Sequence, residues 1–178
     1  MRYTTITAQN AAGTALTSST TETVIPTAAQ CQGSRTIPAN FLKVGNQIRV
    51  RARGIYSTPT GSDTINMRAR YGGTGGVQLA ATGAVDPGLA STAFGWDIDV
   101  VLTVRSIGAS GTVVAAGGFH VRQDNATNGT NNWFPMGANT TITIDTTVAT
   151  TIDLTAQWSA SLATLTITCS QYTVEVIA

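Results

Sequence analysis

Charge is scarce in this sequence: of 178 residues, 10 are Lys or Arg and 9 are Asp or Glu, 11% against the roughly 25% usual in a globular chain. The formal net charge is +1 and Lys43 is the one lysine, so the cationic surplus that displaces counterions from several phosphates is missing. Nucleic acid is therefore not an expected partner. Cysteine is scarce too, and Cys31 and Cys169 are too few for the disulfide framework of a small secreted domain. Both are expected to be free, with Cys169 a small buried residue in the alternation Leu165, Ile167, Cys169; whether the two could bridge depends on geometry that spacing does not reveal. No apolar run approaches the roughly 18 residues of a membrane span. The opening MRYTTITAQN lacks the basic-then-apolar layout of a signal peptide, so the expectation is a soluble chain with no membrane partner and no Sec-type export signal. Helical periodicity is nearly absent as well.

What the sequence does have is Thr, Val and Ile, broken often by Gly, Pro and Asn, with a mean hydropathy of +0.11. That is enough apolar, β-branched surface to offset the entropy of folding, and it reads as all-β. The expected architecture is a single-domain, two-sheet antiparallel jelly-roll-like sandwich over residues 31–178, preceded by an N-terminal arm or edge strands over 1–30. Strands are expected at Thr4–Ala8, Thr20–Ile25, Gln47–Tyr56, Asp63–Tyr71, Val77–Ala81, Trp96–Ile107, Thr112–Gln123, Thr140–Thr146, Thr151–Ser159 and Ala163–Ile177.

Two of these carry clear alternation. Ile48, Val50 and Ala52 face one way and Arg49, Arg51 and Arg53 the other, with Gly54 expected to reset the phase so that Ile55 joins the apolar side. Trp96, Ile98, Val100, Leu102 and Val104 form one side of the next, opposite Asp97, Asp99, Val101, Thr103 and Arg105. Near the end, Leu165, Ile167 and Cys169 change register with Tyr172, Val174 and Val176, which places a β-bulge near Ser170 and Gln171. Ser57–Ser62, Gly72–Gly76, Gly83–Gly95 and Asp124–Asn139 read as loops, the last two long enough to be functional surfaces.

Catalytic chemistry finds little support. The one histidine, His120, has no GxSxG elbow to serve and reads as a packed or surface residue on a strand. Asp97 and Asp99 share a strand face about 7 Å apart, a spacing that glycoside hydrolysis would tolerate, but cross-strand ion pairs with Arg49, Arg51 or Arg53 are the plainer expectation. No metal site is expected: DNATNG at 124–129 has Ala126 where a calcium loop needs an oxygen and no Glu at the twelfth position. The GGTGG stretch lacks the Lys and helix of a phosphate loop. Asn125 and Asn139 match glycosylation acceptors of the kind that a Thr-rich chain generates by chance. Neither enzyme activity nor a cofactor is expected.

Two features suggest contact surfaces instead. The guanidinium face of Arg49, Arg51 and Arg53 fits a solvated or ion-paired face, a partner surface, or an anionic-ligand surface. In WFPMG, residues 133–137, Trp133, Phe134 and Met136 either cap the core or bury themselves in a neighbouring subunit.

Three stretches also carry a resemblance: TIPANFLKVGNQIRVRARGIYST (36–58), TINMRARYGGTGG (64–76) and TIDLTAQWSASLATLTITCSQYTVEVI (151–177). An IPAN-x-L-x-x-G turn leading into a strand of alternating apolar and basic residues, with a W-S-A-S hairpin into a TVEV-like terminal strand, resembles small β-rich structural proteins of tailed bacteriophages. The resemblance implies a jelly-roll or TNF-like sandwich, commonly a homotrimer, assembled in the host cytoplasm and mounted on the virion. It implies a non-enzymatic role as a capsid decoration or cement protein bridging subunits of the major capsid protein. The alternative it leaves is a tail or fibre head that contacts other tail proteins or a host surface glycan.

Overall fold

In the computed structural model the described residues are 3–33, 35–61, 63–123, 130–137 and 140–178. Among them the strands in chain order are β1 (Tyr3–Gln9), β2 (Leu16–Thr17), β3 (Thr23–Val24), β4 (Cys31–Gln32), β5 (Thr36–Ile37), β6 (Gln47–Ser57), β7 (Ile65–Tyr71), β8 (Val77–Ala81), β9 (Phe94–Ser106), β10 (Gly111–Gln123), β11 (Thr130–Met136), β12 (Thr141–Ile144), β13 (Thr150–Trp158) and β14 (Thr166–Ile177). All pairings are antiparallel, and they make two sheets packed as a sandwich in a single domain.

The large sheet runs β11-β10-β9-β6-β14-β1-β4, with β12 end to end with β11 along β10, and β2 beside β14. The smaller sheet runs β3-β13-β7-β8, with β5 also on β13. Period-two alternation builds the core between them. Ile48, Val50, Ile98, Val100, Leu102, Val113, Tyr172 and Val174 of the large sheet meet Ile65, Met67, Leu79, Ile152, Leu154 and Trp158 of the small one, all buried. The Tyr172 hydroxyl crosses this layer to donate to the Ile152 carbonyl at 2.9 Å.

The bulge lies where the sequence places it: the β6–β14 register shifts between Cys169 and Gln171. The expected reset at Gly54 does not occur. The β6–β9 register runs unbroken, Ile55 is exposed and Tyr56 is buried. Gly54 instead keeps the inward phase with no side chain, because a Cβ there would overlap the Thr168 carbonyl and press on the Trp96 ring.

The N-terminal residues lie along both sheets. β1 pairs with β14 from Tyr3↔Ile177 to Ala8↔Thr173, β3 pairs with β13, and Ile25 is buried in the core. Two ionic clusters fix the segment. Arg70 donates from Nε and Nη2 to Glu22 at 2.8 and 2.7 Å, Arg68 stands 3.3 Å away, and the Thr155 hydroxyl donates to Glu22 at 2.6 Å. Further on, buried Arg35 pairs with buried Asp153 and donates to the Pro26 carbonyl. This is why β13 is buried on both faces through Asp153 and Thr155. Cys31 and Cys169 are free thiols, on strands that flank β1 on either side.

Candidate functional site

The outer face of the large sheet gathers most of the side chains singled out above, because odd-numbered residues of β6 and β9 point there. Antiparallel register lines them up in rows. One row reads Gln171, Arg53, Asp97, His120 and Trp133 across β14, β6, β9, β10 and β11. Four strand spacings make it about 19 Å long. The adjacent row reads Thr173, Arg51, Asp99, Gly118 and Pro135.

Electrostatics sort the face into a closed and an open half. Arg49 forks onto Asp99, Nε donating to Oδ1 at 2.9 Å and Nη2 to Oδ2, with Arg51 Nε 3.8 Å away. The Asp99 hydrogen bond, helped by its charge and that of Glu175, holds the Arg49 guanidinium above its ordinary pKa although burial opposes it. Thus Asp99 takes the expected ion pair, whereas Asp97 takes His120 in place of an arginine: Nδ1 to Oδ2 is 3.1 Å and both side chains are about half exposed. Among the described residues, neither Arg53 nor Arg122 forms an ion pair with a carboxylate. Arg122 rests its guanidinium carbon 4.6 Å from the centre of the Phe94 ring, a cation–π seat.

WFPM is a strand where a loop was expected. Pairing of β11 with β10 runs from Gly117↔Met136 to Gln123↔Thr130, so alternation splits the cluster. Trp133 points out and is 54% exposed, Phe134 packs against the core, and Met136 is fully buried with no surface to offer a partner. Pro135 faces out on this edge strand, the position in a sheet where a missing N–H is tolerated. The Trp133 indole occupies the space where a side chain on Gly118 would sit, and its ring centre is 6.4 Å from that of His120. A depression of about 380 Å³, lined by Gly95, Asp97, His120, Val121, Arg122 and Asn131, opens on the far side of His120 from the indole. A smaller one, about 140 Å³, lies farther along the face among Arg51, Arg53, Gln171 and Thr173.

Asn131 and Arg122 were not singled out by the sequence; the β10–β11 hairpin register is what brings them to Asp97. The calcium-like segment 124–129, Asn125 and Asn139 lie outside the described residues. Among the described residues no group of three or more His, Cys, Asp or Glu could hold a metal ion, and no helix is long and apolar enough to cross a membrane.

No protein-family model matches the chain, and no curated protein matches it. Among solved structures it is similar to the CBM2 module of an evolved Dit from Lactobacillus casei BL23 phage J-1, at 15% identity over 82% of this chain and 67% of that one. The TM-score is 0.29, too low a superposition to identify a shared fold.

Proposed function

We propose that this chain is a non-enzymatic structural protein of a tailed-phage particle, acting as a homotrimeric decoration protein that bridges subunits of the shell. The observation that carries this reading is where the three resembling stretches go. They supply β6, β7, β13 and β14, which pair as β6 with β14 at the centre of the large sheet and β7 with β13 at the centre of the small one. Stretches separated by up to about a hundred residues are thus neighbouring strands at the centre of each sheet.

One end of the sandwich supports a docking role. Val44, Ile107 and Val148 stand 63%, 53% and 57% exposed there. Their loops are tied together by Gly45 N–H to the Val104 carbonyl at 2.9 Å and Thr146 N–H to the Gly108 carbonyl at 3.0 Å. Exposed apolar side chains gathered at one end, on a chain with few charges to desolvate, suit contact with another protein. Three such contacts on one trimer would bind with avidity. The non-enzymatic part of the reading is supported by Asp97 and Asp99, each already engaged by a cationic or imidazole group.

The test is copy number in purified particles, by quantitative mass spectrometry against the major shell protein. A number comparable to the shell protein is expected, with a trimer mass by light scattering; a handful per particle would overturn decoration. The second reading, a tail-associated receptor-binding head, is favoured by the open half of the outer face, where Trp133, His120, Asp97 and Arg122 face solvent together.

A further inference from the structure

We infer that the open half of the large sheet's outer face is a saccharide-binding site, centred on Trp133, His120 and Asp97 and completed by Arg122 and Asn131. This deepens the receptor-binding reading, and the site itself stands on geometry whichever part of the particle carries it.

The donor set is the first argument. Asp97 offers only acceptors, Arg122 only donors, the Asn131 amide both, and His120 either according to tautomer. A sugar hydroxyl is at once donor and acceptor, and neighbouring hydroxyls on one ring need complementary partners within a few ångströms of each other. These four side chains surround a single depression of about 380 Å³. A simple anion would not need the carboxylate, and a metal cation would find one carboxylate beside a guanidinium.

The indole is the second. A pyranose carries apolar C–H faces as well as hydroxyls, and an aromatic side chain bordering a polar cluster matches both. Of the three tryptophans, Trp96 and Trp158 are buried at 4% and 1% exposure, and only Trp133 is presented to solvent. It is seated as well as exposed: the sheet gives up a side chain at Gly118, directly beneath the ring, and another at Gly95, which lines the depression.

Extent is the third. The row continues past Asp97 to Arg53 and Gln171, where the second depression lies, so the roughly 19 Å face has room for more than one ring. Both depressions lie on the outer face of the same sheet, as suits a segment of polysaccharide running across the strands.

The test uses the full chain with methyl glycosides of glucose, galactose, N-acetylglucosamine and rhamnose, together with dextran and soluble galactan and chitin fragments, read by saturation-transfer NMR and by calorimetry. At least one probe is expected to bind saturably, with transfer strongest to ring C–H protons. Asp97→Asn and Gly118→Val, the latter displacing the indole without deleting it, should each lower affinity about tenfold or more, the scale of losing one charged hydrogen bond. Should Gly118→Val fail to fold, Asn131→Ala reads the same site from an exposed position. No binding by any probe, or binding unchanged in both Asp97→Asn and Asn131→Ala, overturns the site. Absence of binding in a protein present at a handful of copies per particle would do so while leaving receptor recognition to another surface. Binding at shell-like copy number would support the site and overturn the tail placement.

Discussion

Glu22 shows how much a single carboxylate can hold in a chain with so few. Burial alone would raise its pKa, but the hydrogen bonds from Arg70 and Thr155 and the charges of Arg68 and Arg70 outweigh that and lower it. A lowered folded-state pKa means stability that is fully present above the unfolded value and is lost as pH falls through the folded one. Glu22→Gln should therefore cost about 1–2 kcal/mol at neutral pH, a fall in Tm of roughly 3–6 °C by calorimetry. The gap from wild type should close on acidification below the carboxylate range. Thiol chemistry gives a second expectation. Burial pushes the Cys169 thiol up to about 12, and the residue is 1% exposed, whereas Cys31 is partly accessible. A thiol reagent near pH 8 should label Cys31 in the folded protein and reach Cys169 only on unfolding; fast labelling of both would contradict the core placement. At this scale the sequence made some pairings legible and hid others. Arg49 with Asp99 could be read from alternation on two strands, but Glu22 and Arg35 find partners 48 and 118 positions away, set by sheet order alone.

At the scale of the element, long amphipathic strands declared themselves. β6 and β9 alternate as the sequence alternates, because one face of each is core and the other solvent. β11 did not, since Asn131, Asn132 and Pro135 carry turn chemistry on either side of Trp133 and Phe134, and an edge position beside β10 lets them lie extended. Gly54 misled for a related reason: a glycine in a strand signals a bulge or a close approach, and here it is the approach of the Thr168 backbone while the bulge belongs to the partner strand. Gly54→Ala is thus expected to cost about 2–4 kcal/mol, since the methyl would meet backbone rather than a yielding side chain. A denaturation midpoint within error of wild type would refute that account. Tyr172→Phe, which strips the hydroxyl joining β14 to β13 and leaves the Ile152 carbonyl buried and unpaired, should cost about 1–3 kcal/mol by the same measurement.

For the whole molecule, sandwich architecture followed from composition and alternation, while the partition of strands between sheets did not, because every connection is compatible with several orders. The first residues show the difference. Read as an arm or edge strands, they run from β1 on the large sheet to β3 on the small one, and Ile25 enters the core. Deleting residues 1–23 should uncover β14 and β13 together and lower Tm by well over 10 °C, the scale of losing about 4 kcal/mol or more. If the shortened chain melted like the full one, these residues would be an appendage after all.

The position of β14 between β1 and β6 reaches further than stability. Tyr3 waits for Ile177, and Gln47 waits for the same strand, so the middle of the large sheet closes only across most of the chain's length. On the ribosome, residues 3–57 would emerge with their central partner still unsynthesised, and protease resistance should arise late and abruptly, once residues 166–177 have cleared the exit tunnel. Until then β6 has β9 on one side and an open edge on the other, which makes chaperone dependence during synthesis, rather than fragility once folded, the expected weakness of this protein.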